Sequence, residues 1–389
     1  MKNDSRESGV TVVQRFDKPL YVTRPFMPKL EEFYAGLAEI WERQWVTNNG
    51  AIVQRYLKKL EQYIESENVC LFTNGTLALQ IGLQGMGITG DVVTTPFTFA
   101  ATAHALHWNK IRPVFVDIEP DFYTLDPEKV EAAITPRTTA ILGVHIYGHP
   151  CRLDALAEIA RRHRIKLIYD AAHAFGVQVG GKSIAHFGDL SMFSFHATKI
   201  YHSIEGGMLC FKESGYKQTF DYLKNFGFKN EVEVVMPGTN AKMNEFQALM
   251  GEIVLKSLED IIAKHKILYQ RYRQQLKDVS GIKQVPEFPD DTQYNYAYMP
   301  VEIDEAAFGM SRDHLYETLK KFNVYARRYF YPLLTDLECY RSMTLEDPLV
   351  VAKGVASRIL TLPIYEQLTV EEVDGITAII SELQCGPKS

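Results

Sequence analysis

The feature that most constrains this chain is a series of short apolar segments between residues 69 and 211, alternating with helical patterns. The segments 69–73, 92–95, 113–116, 140–145, 167–170 and 190–195 carry almost no polar alternation. A strand with one solvated face alternates, so strands of this kind need cover on both faces. The helical patterns 77–86, 98–108, 127–134 and 153–163 lie between them and supply that cover. Strand–helix–strand connections of this sort are right-handed and leave the strands parallel. The expected fold class is therefore α/β, a three-layer αβα large domain around a mostly parallel sheet. Helices are also expected over 30–46 and 51–65, a strand over 208–211, an irregular stretch over 212–245 and one long helix over 246–278. From about residue 280 the pattern changes. A strand over 294–301 and helices over 312–322 and 369–383 predict a small C-terminal α+β domain. The expected division is an N-terminal extension at 1–20, a large domain at 21–260 and a small domain at 261–389.

Ligands of open parallel sheets bind outside the carboxyl ends of the strands. Two of these strands end on chemistry. One runs into Asp170, with His173 three residues on; another breaks into a polar loop carrying Lys199. A lysine after a strand is ordinarily solvated. A lysine and a carboxylate delivered to one sheet edge are a different matter. A partly desolvated lysine amine attacks carbonyls, and an acid opposite it keeps a pyridine nitrogen protonated. Pyridoxal phosphate needs both. At Thr73-Asn-Gly-Thr a strand gives way to a helix at Gly75 and Thr76, whose free N–H groups suit a phosphate. Phe99, just past another strand end, can stack on an aromatic ring.

Asp-Ala-Ala-His-Ala-Phe-Gly at 170–176 and Ser-Phe-His-Ala-Thr-Lys at 194–199, followed by Glu-Gly-Gly at 205–207, resemble the DegT/StrS-type sugar-nucleotide aminotransferases. These are pyridoxal-phosphate enzymes of the aspartate-aminotransferase fold, fold type I. The resemblance runs from about residue 22 to about residue 383. It implies that Lys199 carries pyridoxal 5'-phosphate as a Schiff base and moves the substrate proton, and that Asp170 faces the ring nitrogen. It implies Gly75, Thr76 and Ser194 at the phosphate, Phe99 over the ring and His173 at the phenolic oxygen. Asn240, in Gly238-Thr-Asn, would reach the cofactor phosphate of a second copy, giving a homodimer with shared active sites. Arg24, Phe26, Tyr201 and His202 are expected at the sugar nucleotide, and Lys229 at its diphosphate. The implied donor is L-glutamate and the acceptor a nucleotide-linked keto sugar. Val22-Thr-Arg-Pro-Phe-Met-Pro, His202 and Ile204-Glu-Gly-Gly look most like members that convert dTDP-4-keto-6-deoxyglucose to dTDP-4-amino-4,6-dideoxyglucose. Members that aminate C3 share nearly all these motifs, and a pyridoxal-phosphate-binding regulator without catalysis is the other alternative. Two positions depart from the family pattern: Thr239 stands for its usual Tyr, and Ile204 for its usual Gly.

Charge bounds the partners. A net charge of −6 and a pI near 6.0 give no field for nucleic acid or an anionic membrane. An anionic substrate must then be held by local donors. The five cysteines are odd in number and widely spaced, which reads as reduced thiols in a cytoplasmic protein. Residues 1–18 are polar, and no apolar run approaches the roughly 20 residues of a membrane helix. The spacings His104/His107 and His145/His149 lack a completing carboxylate, so no metal is expected.

Overall fold

In the computed structural model, which describes residues 14–385, the apolar segments form one seven-stranded sheet. Its order across the sheet is Val69–Phe72, Gly207–Phe211, Leu190–Ser194, Lys166–Asp170, Thr138–Val144, Asp91–Thr94 and Arg112–Phe115. Neighbours run parallel except Gly207–Phe211, which is antiparallel to both strands beside it. Successive residues of a strand point to opposite faces, and here each face meets its own core. Val69, Leu71, Val93, Ile141, Tyr169 and Phe193 belong to one cluster. Cys70, Phe72, Val92, Leu142, Ile168 and Met192 belong to the other. The first face is covered by the helices Ala51–Tyr63, Leu153–His163 and Glu245–Leu255. The second is covered by Gly75–Gly85, Ala100–Trp108 and Tyr216–Leu223. Absence of polar alternation in the sequence thus has its cause in burial from both sides.

The second half differs from the sequence expectation in three places. The stretch 212–245 contains a helix, Tyr216–Leu223, which is short and polar outside Phe220 and Leu223. The long helix is two, Glu245–Leu255 and Leu258–Leu276, parted at Lys256 and Ser257. Its first half opens with a capping box between Asn244 and Gln247. The strand expected from residue 294 starts only at Met299, because Tyr294 and Asn295 turn inward to brace the site. Met299–Ile303 lies between Ile282–Gln284 and Ile359–Leu362 in an antiparallel sheet, with Arg312–Lys321 and Val370–Leu383 among its helices.

Residues 1–13 of the expected extension lie outside the described residues. From Phe16 on the chain is docked. The Phe16 N–H donates to the Phe322 carbonyl, and Leu20–Tyr21 pairs in parallel with Val324–Tyr325. All five cysteines are free thiols, with Cys70, Cys151 and Cys210 buried. Among the described residues no helix is long and apolar enough to cross a membrane.

Candidate active site

The sheet register brings the motifs together. Asp170 is level with Val144 on one side and Met192 on the other. Ser194 pairs with Gly207, and Gly207 with Phe72. The carboxyl ends of four strands therefore surround one cavity of about 850 Å³, whose wall includes Gly75, Thr76, Phe99, Asp170, His173, Ser194 and Lys199.

The helix Gly75–Gly85 starts at this wall, with the Asn74 side chain capping the Leu77 N–H at 2.9 Å. The N–H groups of its first turn have no partner within the helix. Two glycines let it come this close. A Cβ on Gly75 would meet the Ser194 Cβ at 3.0 Å, and a Cβ on Gly207 would meet the Gly75 nitrogen at 2.7 Å and the Asn74 carbonyl. Glu-Gly-Gly and Asn-Gly-Thr are thus two sides of one backbone contact. It sets a helix N-terminus beside the Ser194 hydroxyl, an arrangement suited to an anion.

Asp170 is buried, and its Oδ2 accepts from the Thr102 hydroxyl at 2.8 Å and its Oδ1 from the Ala172 N–H at 3.1 Å. Burial raises its carboxyl above the usual carboxylate range, against the pull of those two donors and of the Lys199 charge. Burial lowers the Lys199 amine to about 8; the Asp170 charge opposes that shift and the Arg327 charge adds to it. The Lys199 head group is enclosed by protein atoms yet opens on the cavity, so it is reachable as well as desolvated. A fraction of it is neutral, and nucleophilic, near neutral pH.

His173 accepts the Tyr147 N–H on Nδ1 at 3.1 Å, which places its proton on Nε2. Burial, then the Lys199 charge, keep the ring neutral. Its ring lies parallel to Phe330, and the Asn295 amide holds its carbonyl at 2.8 Å. The site thus offers a neutral N–H donor in a fixed orientation. Phe99 is exposed at the mouth of the cavity, whereas Phe97 is core, edge-on to Tyr123 and Phe330.

The residues expected at the sugar nucleotide do not gather there. Tyr201 is fully buried on the far side of the sheet, where its hydroxyl donates to the Gly251 carbonyl and accepts from the Tyr56 hydroxyl. Two residues past Lys199, the turn has already reversed the side-chain direction. His202 is also buried; its Nδ1 accepts the Ile204 N–H, and its Nε2 donates to the Phe26 carbonyl. His202 therefore staples the N-terminal segment to this loop. Arg24 and Phe26 line a void of about 20 Å³ that also includes Lys199 and Thr198, outside the main cavity wall. Lys229 lies in an exposed turn, paired with Glu233 at 3.1 Å. Asn240 accepts from Lys242 at 2.7 Å and is exposed, while its neighbour Thr239 lines the cavity.

Several wall residues were not expected at the site: Thr98, His196, Glu205, Tyr329 and Phe330, and His145, which the sequence offered only as one of a spaced histidine pair. His145 follows the strand Thr138–Val144 directly, a position that could have marked it. Tyr329 and Phe330 come from the C-terminal region, and nothing in their local pattern points at a strand end far earlier in the chain.

Residues 29–381 match the model of the DegT/DnrJ/EryC1/StrS aminotransferase family. The chain is 41% identical over 369 residues to the dTDP-4-amino-4,6-dideoxy-D-glucose transaminase of Shigella dysenteriae, covering 95% of this chain and 100% of that one. It is 43% identical over 369 residues to the protein of the same name from Escherichia coli, covering 94% and 98%. The crystal structure of DesI in the presence of its TDP-sugar product superposes with a TM-score of 0.90 at 36% identity, over 95% of this chain and 94% of that one. The amine, the acid and the helix N-terminus at one sheet edge agree with these matches, and the chain belongs to the DegT/DnrJ/EryC1/StrS aminotransferase family.

Proposed function

We propose that this protein uses pyridoxal 5'-phosphate to carry an amino group from L-glutamate to dTDP-4-keto-6-deoxyglucose, giving dTDP-4-amino-4,6-dideoxyglucose. One observation carries the reading: a lysine amine lowered to about 8 and a buried carboxylate line one cavity beside a helix N-terminus. The names of the relatives at 41% and 43% identity favour this sugar.

The residues present fit the cofactor. A Cβ at Gly75 or Gly207 would fill the cradle at the helix start, where Thr76 and Ser194 would hold a phosphate. Asp170 would take the ring nitrogen, the Nε2–H of His173 the ring oxygen, and Phe99 a ring face. When bound, the cofactor supplies an aldehyde for Lys199 and an electron-accepting ring. Lys199 Nζ then gives and takes the proton at the carbon bearing nitrogen, a task matched by an amine that titrates near working pH. Asp170 holds a negative charge where a protonated nitrogen must be kept. The Tyr329 and Phe330 rings line the same cavity, Phe330 beside His173, and would limit water there.

We also read the protein as a cytoplasmic homodimer. The exposure of Trp41, Trp45, Val46, Phe226 and Phe228 supports a second copy. Asn240, turned outward from its own cavity, would then serve the neighbour's.

The purified protein with pyridoxal phosphate is expected to absorb in the visible, and Lys199→Ala to lose that band and turnover together. Capture of the aldehyde by cofactor-free protein should speed up as pH rises through about 8, where the amine becomes neutral. An unchanged spectrum in Lys199→Ala removes the reading. Product analysis with the 4-keto sugar and its 3-keto isomer decides the carbon.

A further inference from the structure

Asp170 has a structural dependence that its motif does not reveal. Its Oδ2 is bonded to Thr102, which is fully buried in the helix Ala100–Trp108. The Thr102 hydroxyl in turn lies 2.9 Å from the buried Thr98 hydroxyl. Bond direction follows from the acceptor. An ionised carboxylate has no proton to give, so Thr102 donates to Asp170 and accepts from Thr98. The two hydroxyls are thereby ordered in series toward the acid.

The titratable groups sharing the cavity wall with Asp170 are Lys199, His145, His173, His196, Glu205 and Tyr329. Burial keeps His145 and His173 neutral. Of all these, Lys199 is the one whose charge acts on Asp170, and Lys199 is the group that must also be free to lose a proton. The lasting support for the carboxylate is therefore neutral: one hydroxyl and one backbone N–H. An arginine at this place would stabilise the charge but also occupy it. A hydroxyl favours the ionised form and leaves the remaining lone pairs for a cationic ligand.

We propose that Thr102, itself oriented by Thr98, is a positioning residue that keeps the Asp170 carboxylate ionised and available to the cavity. This deepens the role proposed for Asp170 above and rests on it, yet its test needs no cofactor.

In cofactor-free protein with carbon-13-labelled aspartate, the Asp170 carboxyl signal is identified by its loss in Asp170→Asn and titrated. Thr102→Val, nearly the same shape without the hydroxyl, is expected to raise the Asp170 titration by about one to two pH units. Thr102→Ser should leave it at the parent position. Thr98→Val should raise it by a smaller step. An unmoved titration in Thr102→Val, or a serine variant shifted as far as valine, overturns the proposal. Should Thr102→Val fail to fold, the other two variants decide: a shifted Thr102→Ser or an unshifted Thr98→Val overturns it equally. The expected titrations in a protein that captures no pyridoxal phosphate would sink the cofactor reading alone.

Discussion

The two ends of the central sheet bury the same side chain under opposite rules. At the carboxyl end Asp170 has a hydroxyl, an N–H and a lysine it does not pair with, and burial pushes its carboxyl up. At the amino end Asp91 accepts from Arg112 at 2.7 and 3.0 Å and from Arg137 at 3.1 Å, and those guanidiniums hold its carboxyl down. Asp91 is 1% exposed, while Arg112 is partly buried and Arg137 largely solvated, so much of its cover is its own counterions. An acid that only secures the sheet is fully neutralised. The acid proposed to face a ligand keeps its charge free of a cationic partner, and its burial is borne by the fold.

Asp170→Asn gives the largest expected contrast. Turnover should fall about 10²–10³-fold, the scale of losing one preorganised charge. The melting temperature of cofactor-free protein should hold or rise. With its folded pKa above the unfolded value, ionised Asp170 costs stability at neutral pH, a cost relieved as pH falls. A large drop in melting temperature would break the comparison.

Gly207→Ala tests the same end by shape instead of charge. Its Cβ runs into backbone at Asn74 and Gly75, which cannot swing aside. A loss of about 1–3 kcal/mol in urea unfolding is expected, together with weaker cofactor retention. Full retention would mean that the close approach does not build the cradle.

Asp91→Asn is the mirror of Asp170→Asn: near-parent turnover, and a stability loss of about 1–2 kcal/mol, kept modest by the solvent that reaches Arg137 and part of Arg112. The sign with pH is fixed. A depressed carboxyl stabilises fully above its unfolded pKa of about 3.9 and loses that contribution as pH falls through the folded value. The gap between parent and variant should therefore close below about pH 4. A gap that widens on acidification refutes the assignment.

Ile204→Gly carries the smallest effect. Ile204 sits at φ 69°, half-exposed, in the loop before Glu205. The left-handed region costs a β-branched residue about 1–2 kcal/mol, and glycine returns part of that as chain entropy. A net gain of up to about 1 kcal/mol, with turnover unchanged, would show the family's usual glycine here to be a matter of backbone. Lost turnover would place the isoleucine side chain in the chemistry.

Lys199 and Asp170 were legible because apolar runs mark strand ends, and strand ends of a parallel sheet share an edge. Phe99 and Gly75 follow from the same logic. Tyr201 and His202, expected at the sugar nucleotide from the resemblance, are buried away from the cavity wall, because a loop past a strand end does not keep one side-chain direction. The break at Ser257 had no proline or glycine to announce it. Thr102 reads as an ordinary helix residue; only the fold lays it against a strand end 68 residues later. The braces from Tyr294 and Asn295 were hidden likewise, since their partners are the carbonyls of Tyr147, His173 and Phe175.

The reversed strand Gly207–Phe211 is threaded between Val69–Phe72 and Leu190–Ser194. During synthesis, the segment bearing the anion cradle and the segment bearing the reactive amine both leave the ribosome before the piece that joins them. A nascent polypeptide ending just short of Gly207 holds every group singled out in those two segments and has no shared edge to mount them on. The anion cradle and the amine therefore come to share one edge only once residues 207–211 are in place.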